Sequence, residues 1–177
     1  MPFLTVCVVV VDEDKVLLTK RDDFYIWCLP SGGVEDGETV VEAALRETKE
    51  ETGLDVEITR MVGIYSRPAN IPSGHAVVFS AIPTGGEVRT QPGETIEVRY
   101  FEFNDLPVAL SFGHKRRIQD AFSGEIGTVV LQQPENPVTS SLSREELYAL
   151  RDKSGLSPEQ FYITYFKPDS IYEERLV

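Results

Sequence analysis

The sequence is poor in basic residues and in cysteine, and it has no apolar run long enough to cross a bilayer. Lys and Arg number 17 against 29 Asp and Glu in 177 residues, a formal net charge of −12. Phosphate backbones and anionic membranes are held by basic patches, so this balance argues against a nucleic acid polymer or a membrane as partner. A small anionic ligand whose charge is screened by metal ions stays open. Two cysteines, Cys7 and Cys28, are too few for a disulfide-stapled secreted scaffold. Neither has a second Cys or a His at metal-ligand spacing, so both read as buried thiols in a reduced, cytoplasmic protein. The longest apolar run, Val6 to Val11, falls far short of a membrane span. No charged segment precedes a long apolar one in the manner of a signal peptide. Internal repeats and low-complexity blocks are also lacking.

What remains is a globular composition, 41% hydrophobic and 26% charged, long enough to bury a core. The segment from Phe3 to Asp23 reads as two strands joined by an acidic turn at Asp12 to Asp14. Its continuous valines indicate a strand buried on both faces. Trp27 to Leu29 is a short extended piece, followed by a Gly-rich loop and a helix. Further strand patterns cover Asp55–Ser66, His75–Ile82, Glu97–Phe103 and Thr128–Gln133. Gly85, Gly86 and Gly93 fall in the connection before the third of these strands. Asp105 with Pro107 predicts a helix start, the helix running to Gly124. Residues 67–74 are rich in turn residues and 134–141 resemble a linker. A short capped helix follows from Ser143, and the chain closes on an aromatic-rich stretch. This order of elements points to an α+β or layered α/β/α domain with a mixed sheet.

The helix after the Gly-rich loop carries the most chemistry. Thr39 and Glu42 have the spacing of a capping box, and Gly53 supplies the left-handed stop. Val41, Ala44, Leu45, Thr48 and Thr52 recur at helical steps and read as its inward face. Glu47, Glu50 and Glu51 fall at i, i+3 and i+4, side by side on a neighbouring face. Three such carboxylates repel by roughly 1–2 kcal/mol per pair, so the cluster should protonate in part or hold cations. Hard oxygen donors of this kind suit Mg²⁺ or Mn²⁺. Arg46, four residues before Glu50, is placed to steady one carboxylate. The glycines of the preceding loop let its backbone approach a ligand closely, which suits diphosphate chemistry.

Gly32, Glu38, Arg46, Glu47, Glu50, Glu51, Gly53 and Leu54 resemble the Nudix box, G-x5-E-x7-R-E-U-x-E-E-x-G-U with U aliphatic. Thr48 stands where the family prefers an aliphatic side chain, a departure expected to affect packing and not the acidic cluster. Trp27 to Pro30 is similar to the W-x-x-P that precedes the box. Glu97 to Pro107 is similar to the strand and helix entry that follow it. The resemblance implies a Nudix fold, an α/β/α sandwich with a mixed sheet, over residues 1–130. Residues 131–177 would form a C-terminal extension packing on that domain or in a dimer interface.

Nudix enzymes hydrolyse nucleoside diphosphates linked to another group. The resemblance implies that Glu47, Glu50 and Glu51 hold Mg²⁺ or Mn²⁺, with the Ser31 carbonyl as a further ligand. Arg46 would orient the glutamates and Glu38 would brace the loop, with Gly32 and Gly33 lining the phosphate path. Glu94 and Glu97 are the candidate general bases, although Glu97 has a competing role as partner of Arg99. Arg21, at a strand end, is a candidate phosphate contact. The basic run His114 to Arg117 reads as a surface face, because its alternate residues point different ways. His75 reads as structural. Phe24, Tyr25 and Tyr65 are candidates to stack on a base, with core packing as the competing reading.

The expected substrate is a small nucleoside diphosphate derivative, ADP-ribose or a nucleotide sugar. Pro68 and Pro72 flank, without matching, the proline position of many ADP-ribose enzymes. A nucleoside triphosphate or dinucleoside polyphosphate hydrolase is the alternative, as is a non-catalytic nucleotide-binding module, which the intact box disfavours. An isomerase of the same fold would carry a catalytic Cys segment that has no counterpart here, and a messenger-RNA decapping enzyme would show a basic surface. A homodimer is expected as the commonest assembly.

Overall fold

The unbroken valines of the N-terminal segment form the centre of the molecule. Strand β1 (Phe3–Asp12) turns Val6, Val8 and Val10 to one side and Cys7 and Val9 to the other, and all five are buried. Successive strand side chains point to opposite faces, so a strand covered on both sides is apolar throughout. This computed structural model describes residues 3–67, 74–135 and 142–177.

An acidic turn leads from β1 to β2 (Lys15–Arg21), followed by the short β3 (Trp27–Cys28) and β4 (Ser31–Gly33). Helix α1 (Val40–Thr52) precedes the long antiparallel pair β5 (Leu54–Arg67) and β6 (Gly74–Gly86). Strand β7 (Thr95–Glu102), helix α2 (His114–Phe122) and strand β8 (Thr128–Pro134) come next. The chain ends in α3 (Arg144–Lys153), α4 (Pro158–Phe166) and β9 (Ile171–Arg175). The strands join in the order β3-β2-β1-β6-β5-β8-β9, with β4 on β1 and β7 on β2. β1–β6 and β5–β8 are parallel and the other pairs antiparallel, which makes the mixed sheet that the sequence suggests. Parallel neighbours need crossovers, and these deliver a helix to each face. α1 packs on Val6, Val8, Val10 and Leu17; α2 packs on Cys7, Val9, Tyr65 and Val130.

The C-terminal residues rest on this body. Phe161 and Tyr162 of α4 join Phe24 and Ile26 in a third apolar cluster, with the Phe24 and Phe161 rings nearly parallel at 6.2 Å. β9 adds a strand to the β8 edge, and β8 itself runs across residue 130. The linker expected over 134–141 lies outside the described residues from 136 onward, and the turn-rich 67–74 stretch with Pro68 and Pro72 does so from 68 to 73.

Three sequence expectations need correction. The helix read from Asp105 begins at His114. Before it, Trp27 N–H donates to Ala109 and Ser111 N–H to the Trp27 carbonyl, at 2.8 and 2.7 Å. Those backbone groups are satisfied by β3 and are not left for a helix. On α1, Val41 and Leu45 are exposed and Ala43 and Ala44 face the sheet, since small side chains let the helix sit close. Thr48 and Thr52 are buried, their hydroxyls donating back to the Ala44 and Thr48 carbonyls, so a threonine in place of an aliphatic residue leaves no orphaned donor. The run His114 to Arg117 is not a solvated face: His114 and Arg117 are buried.

His114 is the residue through which pH reaches this core. Its Nδ1 accepts the Leu29 N–H at 3.0 Å. Burial, reinforced by Arg117, Arg67 and Arg21, holds the imidazole well below its ordinary range. The unfolded chain therefore binds the extra proton below about pH 6.5, and His114 withdraws stability as pH falls through that value. Relative to His114→Asn, whose amide oxygen replaces the acceptor, the parent should lose about 1 kcal/mol between pH 7 and 5.5. Denaturant unfolding of both proteins across that range reads the difference, and a constant offset would contradict it.

Candidate active site

The acidic helix is fixed at both ends by local chemistry. The Thr39 hydroxyl accepts the Glu42 N–H, and the Glu42 carboxylate accepts the Thr39 N–H at 2.8 Å. Gly53 turns left-handed at φ 76° and donates to the Lys49 carbonyl at 2.9 Å. A side chain there would run into the Glu87 carbonyl as well as straining the backbone. With its phase set, α1 presents Glu47 and Glu51 toward β4, where the Ser31 N–H donates to Glu51 Oε2 at 3.2 Å, and leaves Glu50 exposed beside them.

Arg46 gathers the loop and the helix together. Its guanidinium donates to Glu38 Oε1 at 2.7 Å and Oε2 at 3.2 Å, to Glu47 Oε1 at 2.8 Å, and to the Gly33 carbonyl at 3.0 Å. Glu50 lies at 3.4 Å. Glu38 Oε1 also accepts the Glu35 N–H at 2.7 Å, closing the loop on itself. Gly32 faces the Glu47 carboxylate, which a Cβ at position 32 would displace. Gly32, Gly33, Ser31, Glu38, Arg46, Glu47, Glu50 and Glu51 thus share one locality, joined by these contacts.

The charges in this locality are unevenly compensated. Glu38 is held below the usual carboxylate range by Arg46. Burial pushes Glu47 up, against the pull of Arg46. Burial also pushes Glu51 up to about 8; Ser31 N–H and Arg21 oppose the shift, while Glu47 and Glu94 add to it. A carboxyl so placed is largely protonated at neutral pH unless a cation meets it. As they stand, with Glu47 and Glu50 turned to Arg46, no three acidic, His or Cys side chains among the described residues converge on one ion-sized point.

The remaining sequence candidates separate. Glu94, in the turn before β7, lies within electrostatic reach of both Glu47 and Glu51. Glu97 sits on β7 opposite Lys20, 3.8 Å from Arg99. Arg21 ends β2 and pairs with Asp23, within reach of Glu51. Asp23 went unnoticed in the sequence; it also accepts from Tyr148 at 3.2 Å, while Arg151 donates to its carbonyl. The only signal for it was its place two residues after Arg21. Through it the tail helix α3 braces the strand end that carries Arg21. Of the aromatic candidates, Phe24 and Tyr65 are core residues and Tyr25 is exposed. His75 bonds to the Ser66 hydroxyl at 3.0 Å.

Comparison with known proteins agrees with this geometry. The profile of the NUDIX domain matches residues 1–121. The chain is 39% identical over 124 residues to the ADP-ribose pyrophosphatase of Methanocaldococcus jannaschii, covering 67% of this chain and 72% of that protein. It is 35% identical over 117 residues to a putative 8-oxo-dGTP diphosphatase of Bacillus subtilis, covering 66% and 77%. A crystal structure of a NUDIX hydrolase from Nitrosomonas europaea superposes with a TM-score of 0.65 at 30% identity, covering 75% of this chain and 79% of that one. The chain belongs to the NUDIX domain family of hydrolases.

Proposed function

We propose that the protein is a divalent-metal-dependent hydrolase that cleaves the diphosphate linkage of a nucleoside diphosphate derivative, with ADP-ribose as first substrate. The carrying observation is Glu51: a buried carboxylate, beside Glu47 and a Gly-Gly loop, with a backbone N–H as its hydrogen-bond partner and, among the described residues, no cation in ion-pair contact with it. This donor set fits a hard cation. Glu47, Glu50, Glu51 and the Ser31 carbonyl offer oxygen ligands, and Mg²⁺ or Mn²⁺ matches them. When bound, such an ion polarises phosphate oxygens and lowers the pKa of an attacking water.

The other roles fall to the chain's own groups. Arg46 orients Glu47 and Glu50 and ties them to the loop through Glu38. Gly32 and Gly33 leave room for a phosphate against the backbone. Arg21, steadied by Asp23, neutralises phosphate charge on the side of β2. Glu94 takes the proton of the attacking water; Glu97 is the lesser candidate because Arg99 stands beside it. Support for ADP-ribose comes from the Methanocaldococcus jannaschii relative. The Bacillus subtilis relative favours a second reading, hydrolysis of a nucleoside triphosphate.

No helix among the described residues is long and apolar enough to cross a membrane, and Cys7 and Cys28 are buried free thiols. On the latter ground we place the protein in the cytoplasm. We keep a two-fold dimer as the proposed assembly on its general prevalence. Residues 1–130 are the proposed catalytic domain and 131–177 an extension packed on it.

With Mg²⁺ and ADP-ribose the protein should release AMP, and Glu51→Gln should lower kcat by roughly 10³-fold with the fold kept. Retained turnover in that variant would remove Glu51 from the mechanism, and activity confined to triphosphates would select the second reading. Glu94→Gln should cost about 10²-fold or more in kcat and Glu97→Gln less than about ten-fold; the reverse ranking would reassign the base. Gly32→Ala should lower kcat at least about ten-fold while changing stability by less than about 1 kcal/mol, because the displaced atoms are the far end of the flexible Glu47 side chain and not backbone. Unchanged kinetics would show that the position of Glu47 does not matter.

A further inference from the structure

On the α2 face of the sheet, away from the acidic helix, two arginines stand without an ion pair among the described residues. Tyr65 and Val130 belong to the core on that face, and Arg67 and Gln132 lie two residues further along the same strands, on the same side. β5 and β8 pair in parallel from Gly63↔Thr128 to Ser66↔Leu131, a register that brings Arg67 alongside Gln132. Arg117 reaches the same place from α2. It is 1% exposed, donates to Gln132 Oε1 at 3.0 Å and to Cys7 Sγ at 3.1 Å, and its Nε has no partner. The Nε of Arg67 is likewise buried and unpartnered, although Arg67 as a whole is half-buried. His114 lies close enough for both guanidiniums to disfavour its charged form.

No ion pair to Arg67 or Arg117 occurs among the described residues. Glu173 meets Gln132 Nε2 at 2.7 Å and lies within electrostatic reach of Arg117, without an ion pair to it. Residues 68–73 (PANIPS) and 136–141 (NPVTSS) contain no Asp or Glu, so they supply no counter-ion. A buried cation with a half-buried one near it, in a chain carrying −12 overall, is costly unless an anion joins them. The donors are planar guanidinium forks, the geometry that meets phosphate oxygens two at a time.

We propose that Arg67 and Arg117 form an anion pocket that binds a phosphate group of the ligand, with Arg67 at its open side and Arg117 fixed behind by Gln132. The pocket is distinct from the acidic cluster and from Arg21, and its occupation does not require hydrolysis. It would favour ligands with a phosphate beyond the one held at α1, or retain free phosphate.

The test uses the full chain without divalent metal and inorganic phosphate as the probe. Nitrogen NMR of the parent should show the Arg67 and Arg117 Nε–H resonances moving as phosphate is added, a readout that needs no variant. Calorimetry should give millimolar binding, weakened about ten-fold or more in Arg67→Gln and partly restored in Arg67→Lys. AMP run in parallel distinguishes the sources: tighter binding than phosphate, lost in the same variant, points to a nucleotide's phosphate, and equal binding points to the free ion. Resonances that stay put, or binding lost in Arg21→Gln and kept in Arg67→Gln, would overturn the proposal. Absence of ADP-ribose hydrolysis would bear on the reaction and leave this result standing.

Discussion

One guanidinium holds the loop of residues 33–38 to the acidic helix. Arg46 donates to Glu38, Glu47, Glu50 and the Gly33 carbonyl at once, and among the described residues no other side chain bonds to both elements so widely. The group is planar with five donors in a fixed fork, so satisfying it fixes the directions of its acceptors. Lysine, with one small charged tip, would hold one carboxylate and release the rest. The fork is taken up by these neighbours and does not reach Glu51, which is left buried one turn further along the helix with only the Ser31 N–H bonded to it and Arg21 in electrostatic reach. Order at one end and electrostatic debt at the other are what the proposed metal chemistry needs.

The scaffold supplies that arrangement through β1. Its valines close both faces of the sheet and set α1 and α2 on opposite sides, while β4 pairs with it at Cys7↔Ser31 and Val6↔Gly32. The Gly-rich loop is therefore held against the central strand β1 through β4, and Ser31 meets Glu51 because of that pairing. The tail adds a brace: α3 and α4 pack on Phe24 and hold Asp23, and with it Arg21, at the end of β2.

Much of this was legible in the sequence because it is local. The capping box at Thr39, the left-handed stop at Gly53 and the spacing of Glu47, Glu50 and Glu51 are contained within about four helical turns, where side-chain proximity follows from helix geometry alone. The valine run gave away a doubly covered strand for the same reason. What was not legible depends on distant partners. Residues 105–113 carry a helix-start signal, yet their backbone is claimed by β3. Val41 and Leu45 are the more apolar residues of α1, yet the sheet accepts Ala43 and Ala44. The burial of His114 and Arg117 depends on Leu29, Cys7 and Gln132, separated by 85, 110 and 15 positions, and no periodicity in the basic run announces it.

The central claim, that Glu51 and its neighbours hold a divalent cation, has one direct test. A crystal grown with Mn²⁺ and measured at a wavelength where manganese scatters anomalously locates the ion independently of any phase bias. The account places an anomalous peak within ligation distance of Glu51 and of Glu47 or Glu50. Peaks elsewhere, with Glu51 still bonded only to the Ser31 N–H, would contradict it.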